Sequence, residues 1–98
     1  MPALTNKEIS LHLKAVPHWS KRGQTILRTF KCKGFLESLD FVNRIARKAQ
    51  KINHHPDMDI RFDKVTLKLT THDEGGLTEK DFALAEHGDE VFAKLSGS

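Results

Sequence analysis

Histidine is the side chain whose ordinary pKa lies near neutrality, so it can give or take a proton there. The chain holds six. Three of them stand on loops or strand ends, where chemistry concentrates on a rigid scaffold. His54 and His55 are adjacent, and Pro56 follows them. Proline pushes the residue before it out of helical geometry, so His55 is expected in extended backbone. His72 sits at the far end of a strand-like run that enters the Gly75-Gly76 loop. On spacing alone, a proton-transfer site and three unrelated loop histidines stand level. His12, His18 and His87 carry no such signal. His12 reads as a boundary residue of a helix, His18 has no evident partner, and His87 reads as structural or solvated in the last helix.

A metal site is a second reading of the same residues. Asp57, Asp59, Asp73 and Asp81 could complete a ligand set around His54, His55 and His72. The spacing opposes it. Adjacent side chains on extended backbone point in roughly opposite directions. The His-x-x-x-His helical pair of zinc hydrolases is absent from the sequence. Metal-free acid–base chemistry therefore ranks above a metal. Asp81 falls at the third position of the final helix, where free amides and the helix dipole favour an anion. Capping alone accounts for it. Its functional version is a carboxylate that orients a histidine, as the acid does in a catalytic triad.

These residues need positioning by regular elements. Thr5-Asn6-Lys7-Glu8 has the capping-box pattern, and Ile9, Leu13 and Val16 follow at helical spacing until Pro17. A helix is expected over about residues 6–15. Residues 18–21, with Trp19, read as a short strand. Arg22-Gly23 suits a turn, and residues 25–32 read as a second strand of the same hairpin. After Gly34, the residues Phe35, Leu39, Val42, Ile45 and Ala49 recur at steps of three and four, predicting an amphipathic helix to about Ile52. Ile60 and Phe62 alternate with polar residues, as do Val65, Leu67 and Leu69, with Asp63-Lys64 as a tight turn between them. His72 continues the polar face of the latter strand. Thr78 is the expected cap of a last helix lined by Leu84, Val91, Phe92 and Leu95. The order is α-β-β-α-β-β-α. It predicts a two-layer α+β fold, a four-stranded antiparallel sheet with three helices on one face.

Length and charge set the frame. The 98 residues suit one domain, 1–98, with a thin core that self-association would help. A net charge of +3 does not call for nucleic acid, because cations and acids are interspersed. The densest basic stretch, Arg44, Arg47, Lys48 and Lys51, reads as a solvated helix face rather than a phosphate patch. Cys32 is alone, so it makes no internal disulfide; packing at a strand end and a reducing compartment are expected. The opening residues lack a signal-peptide pattern, and no run approaches membrane-spanning length, which makes a cytoplasmic protein the default.

Taken together, Asn53-His54-His55-Pro56, Phe62, Thr70-Thr71-His72, Gly76-Leu77-Thr78 and Asp81 resemble the signature of the pterin-4a-carbinolamine dehydratase family. Trp19, the strand with Phe30 and the helix from Phe35 extend the resemblance over nearly the whole chain. Gln50 departs from it, since the family usually has an acid there, and Met58 stands where a bulky aromatic is common. The resemblance implies removal of the 4a-hydroxyl and the N5 proton of a 4a-hydroxytetrahydropterin, giving a quinonoid dihydropterin and water, without metal or redox cofactor. It implies His54 and His72 as the acid–base pair on either side of the pterin, and His55 chiefly in binding with a share in catalysis. It implies Asp81 orienting a histidine, with His72 the expected partner, and Asn53, Thr70, Thr71 and Asp73 lining the pocket. Trp19 is expected in the core. The resemblance also implies a homodimer or homotetramer. Animal relatives act as dimerisation cofactors of a homeodomain transcription factor through a helical surface, so a transcription-factor partner, and with it nuclear entry, is the alternative role.

Overall fold

The computed structural model describes residues 2–97. Its elements are α1 (Asn6–Ala15), β1 (Ser20–Arg22), β2 (Thr25–Lys31), α2 (Phe35–Ile52), β3 (Asp57–Arg61), β4 (Lys64–Leu69), a one-turn 3-10 helix (His72–Glu74) and α3 (Glu79–Ser96). The strands form one antiparallel sheet in the order β1-β2-β4-β3. This is the expected α+β order.

Alternation decides which face of the sheet is covered. Ile26 pairs with Leu69, Arg28 with Leu67 and Phe30 with Val65, so these residues share one face. Ile26, Phe30, Val65, Leu67 and Leu69 are all buried there. The opposite face carries Thr29, Lys31, Lys64, Thr66 and Lys68 and stays open to water. The helices cover the apolar face. Phe30 packs against Phe41 of α2, with ring centroids 4.6 Å apart, and against Phe92 of α3, at 5.3 Å. Gly88 of α3 packs over the sheet here: a Cβ at this position would meet Phe30, Ile45 and Leu67 at ordinary van der Waals distances of 3.6–3.7 Å.

A half-buried charged side chain sits among the apolar residues of the covered face. Arg28 lays its guanidinium 4.2 Å from the Phe30 ring centre and pairs with Asp89 of α3 at 2.5 Å. The same Asp89 oxygen accepts the indole N–H of Trp19 at 2.9 Å. Trp19 is buried, in the core as expected, although the strand starts one residue later at Ser20. Cys32 is buried just beyond the end of β2.

Four local expectations need correction. Phe62 is not a strand residue: β3 stops at Arg61, Arg61 pairs with Lys64, and Phe62-Asp63 forms the turn. Phe62 has φ +55° and is 68% exposed. The first hairpin likewise turns at Gly23-Gln24 rather than Arg22-Gly23, with Gly23 at φ +59°. The buried line of α2 is Ser38, Phe41, Ile45 and Ala49, while Phe35 is half exposed, so the true stripe is rotated from the predicted one. Finally, β4 ends at Leu69 and His72 begins the 3-10 turn, so it does not extend the strand's polar face.

Candidate active site

The end of α2 places the first two histidines. Asn53 takes the left-handed conformation at φ 53°, ψ 46°, and its amide closes on the carbonyls of Ala49 and Gln50. The His54 amide also bonds to the Ala49 carbonyl at 3.0 Å. Asparagine tolerates this geometry better than most residues. The chain then leaves the helix sharply, and Pro56 carries it into β3.

At the start of α3, Thr78 caps the helix and Asp81 stands at its third position, forming a capping box. Asp81 is completely buried. Its Oδ2 accepts the Thr78 backbone N–H at 2.9 Å and the Thr71 hydroxyl at 2.8 Å. Its Oδ1 meets His54 Nε2 at 2.6 Å. A carboxylate only accepts, so Nε2 carries the hydrogen and Nδ1 is the ring nitrogen left for other work. The Thr71 and Thr78 hydroxyls lie 2.9 Å apart. Since the Thr71 hydrogen goes to Asp81, Thr78 donates to Thr71. Removing a carboxylate from water is costly, and these donors are what make the burial tolerable. Among the described residues, no buried side-chain polar atom lacks a partner.

Asp81 therefore faces His54, not the expected His72. The reason lies in the helix cap. The box turns the carboxylate inward, where it meets His54 at the end of α2, while His72 is exposed to solvent.

The remaining candidates divide into bonded and free. His55 Nε2 meets Gln50 Oε1 at 2.9 Å, one turn back on α2. Gln50 thus gives the ring a neutral acceptor where a carboxylate would bring charge. His72 and Asp73 are exposed, and no side-chain hydrogen bond holds either among the described residues. Asn53 is exposed as well. Thr70 donates its hydroxyl to the Gln24 carbonyl at 2.6 Å, tying this loop to the β1–β2 turn. One carboxylate therefore joins His54 to Thr71, the immediate neighbour of His72. Sequence reasoning does not single out Thr78 or Gln50 as site residues. The Thr78-x-x-Asp81 box carries a signal for the first, because its Asp is both cap and buried acceptor. His12, expected only at a helix boundary, stacks on Phe82 with ring centroids 4.8 Å apart, next to Asp81. No three of His, Cys, Asp and Glu converge as a metal-ligand group among the described residues.

Comparison with known proteins gives a consistent result. The family model described as pterin 4 alpha carbinolamine dehydratase matches residues 2–91. A protein of Picosynechococcus sp. is 50% identical over 88 residues, covering 90% of this chain and 96% of the relative. One from Chloroflexus aurantiacus (strain J-10-fl) is 50% identical over 91 residues, covering 93% and 98%. Both bear provisional pterin-4-alpha-carbinolamine dehydratase names. A crystal structure of a transcriptional coactivator/pterin dehydratase from Brucella melitensis superposes with a TM-score of 0.88 at 33% identity. The match covers 91% of this chain and 97% of the Brucella chain.

Proposed function

The chain belongs to the pterin 4 alpha carbinolamine dehydratase family, and on that premise we propose that it dehydrates a 4a-hydroxytetrahydropterin by histidine acid–base catalysis. The observation that carries this reading is the His54–Asp81 pair, a ring nitrogen 2.6 Å from a fully buried carboxylate. Asp81 fixes the ring and its tautomer and stabilises the imidazolium when a proton arrives. In the elimination, the C4a–O bond breaks and the hydroxyl takes a proton to leave as water. The N5–H bond gives its proton to a base and leaves its electron pair to form the new C=N bond. His54, through Nδ1, serves one of these transfers. His72, which no side-chain bond restrains, serves the other. His55, oriented by Gln50, binds the pterin, and Asn53, Thr71 and Asp73 border it. A positioned acid–base pair contributes about 10²–10⁴-fold.

The biological setting follows from the same premise. We place the reaction in recycling of tetrahydrobiopterin after aromatic hydroxylation, in the cytoplasm. No helix among the described residues is long and apolar enough to cross a membrane. A homodimer or homotetramer is supported by the β3 edge, where Ile60 is exposed together with Phe62 in the turn that follows. A second reading is docking to a helical segment of another protein, in keeping with the coactivator name that the Brucella protein carries. Leu36, 79% exposed at the start of α2, favours it.

The test is the decay of an enzymatically generated 4a-hydroxytetrahydropterin with and without the protein. Acceleration that His54→Ala abolishes in a folded variant supports the reading. Decay unchanged by the folded wild-type protein removes it and leaves the docking role.

A further inference from the structure

The four cations of α2 do not simply face water. α3 runs beside them, and a shallow, solvent-open cleft of about 370 Å³ lies between the two helices. Arg44, Arg47, Lys48 and Lys51 line one wall. They stand at i, i+3, i+4 and i+7, which places them on one helix face. Lys94 and His87 of α3 line the other wall, with the buried Val91 at its base.

Most of this charge has no ion-pair partner. Arg44 pairs with Asp40 at 3.0 Å. Among the described residues, Arg47, Lys48, Lys51 and Lys94 have no carboxylate within ion-pair distance. On the open face of the sheet Lys31 pairs with Asp63 and Arg61 with Asp59, while Lys64 and Lys68, like the cleft lysines, have no ion-pair partner among the described residues. The cleft's field reaches His87. Burial first, then Lys48 and Lys94, hold its imidazole below the ordinary value, against an opposing pull from Glu90. Like charges gathered without counter-charge repel, and an anion seated among them relieves that repulsion.

The shape of the patch limits what the anion can be. From Arg44 to Lys51 the helix advances only about 10 Å. Acids bound the patch, with Asp40 on α2 and Glu86 and Glu90 exposed on α3. A long polyanion would run onto these carboxylates. A second copy placed by a two-fold axis would set the cation row against itself. The volume lies toward the small end of small-molecule sites, which span about 300–1,000 Å³.

We propose that the α2–α3 cleft is a second binding site, separate from the histidines, for a compact anion bearing two or more phosphates, of the nucleoside polyphosphate class. Arg47 and Lys48 lie at its centre and hold the phosphates, and Val91 meets the less polar part of the ligand. The experiment is calorimetric titration of the full chain with inorganic tripolyphosphate and with ATP at physiological ionic strength. Saturable one-to-one binding of either probe is expected. The double variant Arg47→Glu/Lys48→Glu should weaken it by roughly tenfold or more, a loss of about 1.4 kcal/mol. A control, Lys64→Glu/Lys68→Glu on the open sheet face, makes the same charge change elsewhere and should leave binding within about twofold. Circular dichroism checks that both variants are folded. Absence of saturation, or equal weakening in both double variants, overturns the proposal. So does tight capture of a single-stranded oligonucleotide or an acidic helical peptide by a chain that ignores both probes.

Discussion

At the start of α3 a carboxylate lies wholly out of water and accepts hydrogen bonds from His54, Thr71 and Thr78. Farther along, the same helix faces a row of cations, most of them with no ion-pair partner among the described residues. The same two helices thus treat charge in opposite ways at neighbouring places. Solvent explains how both are possible. A buried charge without donors costs several kcal/mol, so the corner around Asp81 must be completed by the protein itself. An exposed cation keeps its water, and leaving it unpaired costs little. The lesson is that stability is concentrated in the corner, while the cleft is free to vary in charge without loss of fold.

The largest effect that would sharpen this contrast is at Asp81. Asp81→Ala leaves the donors of His54, Thr71 and Thr78 without an acceptor, and a loss of about 3–5 kcal/mol is expected in urea denaturation. Asp81→Asn keeps the volume and one acceptor, so it should fold and still dehydrate slowly, which separates structure from chemistry. A loss under about 1 kcal/mol in the alanine variant would break the comparison.

Next comes His72. It is exposed and unrestrained, so His72→Ala should change stability by less than about 0.5 kcal/mol. Dehydration should nonetheless fall by about 10²-fold in a kinetic assay. Full turnover in that variant would return the second proton transfer to another group.

A smaller effect is expected at Gln50. Gln50→Glu gives His55 a charged partner at the same position, favouring the imidazolium. The pH–rate profile should extend to higher pH if protonated His55 assists the reaction. An unmoved profile would confine His55 to contact with substrate.

The smallest effect belongs to the cleft. His87 is held below its ordinary pKa of 6.5, chiefly by burial. The unfolded chain therefore takes up this proton first as pH falls. Stability is full above that value, declines as pH drops toward the lowered folded pKa, and levels off below it. His87→Gln should remove this slope, seen in denaturant titrations at a series of pH values. A slope equal to that of the wild type would show that other groups set it.

Much of this is legible in the sequence. Thr5 and Glu8 announce α1 through their capping box, and both of its hydrogen bonds form. The alternation of Val65, Leu67 and Leu69 marks β4 and its covered face. Phe62 escapes the pattern because alternation continues through the turn, and polarity is blind to the sign of φ. The partner of Asp81 escapes it because the resemblance gives His72 as the expected partner and nothing in the spacing points to His54. His54 is 27 positions away, yet the cap turns the carboxylate toward it. The cations of α2 are visible as one helix face. That Lys94 and His87 stand opposite them depends on how two helices pack, which periodicity within one helix does not encode.

Trp19 has a consequence of another kind. The chain contains one tryptophan and no tyrosine, so its near-ultraviolet emission is essentially that of a single indole. That indole is anchored through Asp89 to α3 while its ring lies edge-on to Phe30 of the sheet. The molecule therefore carries an optical gauge at the joint between its two layers. Emission stays at short wavelength while α3 rests on the sheet, and it shifts to the red when the layers part, with no other fluorophore to blur the reading.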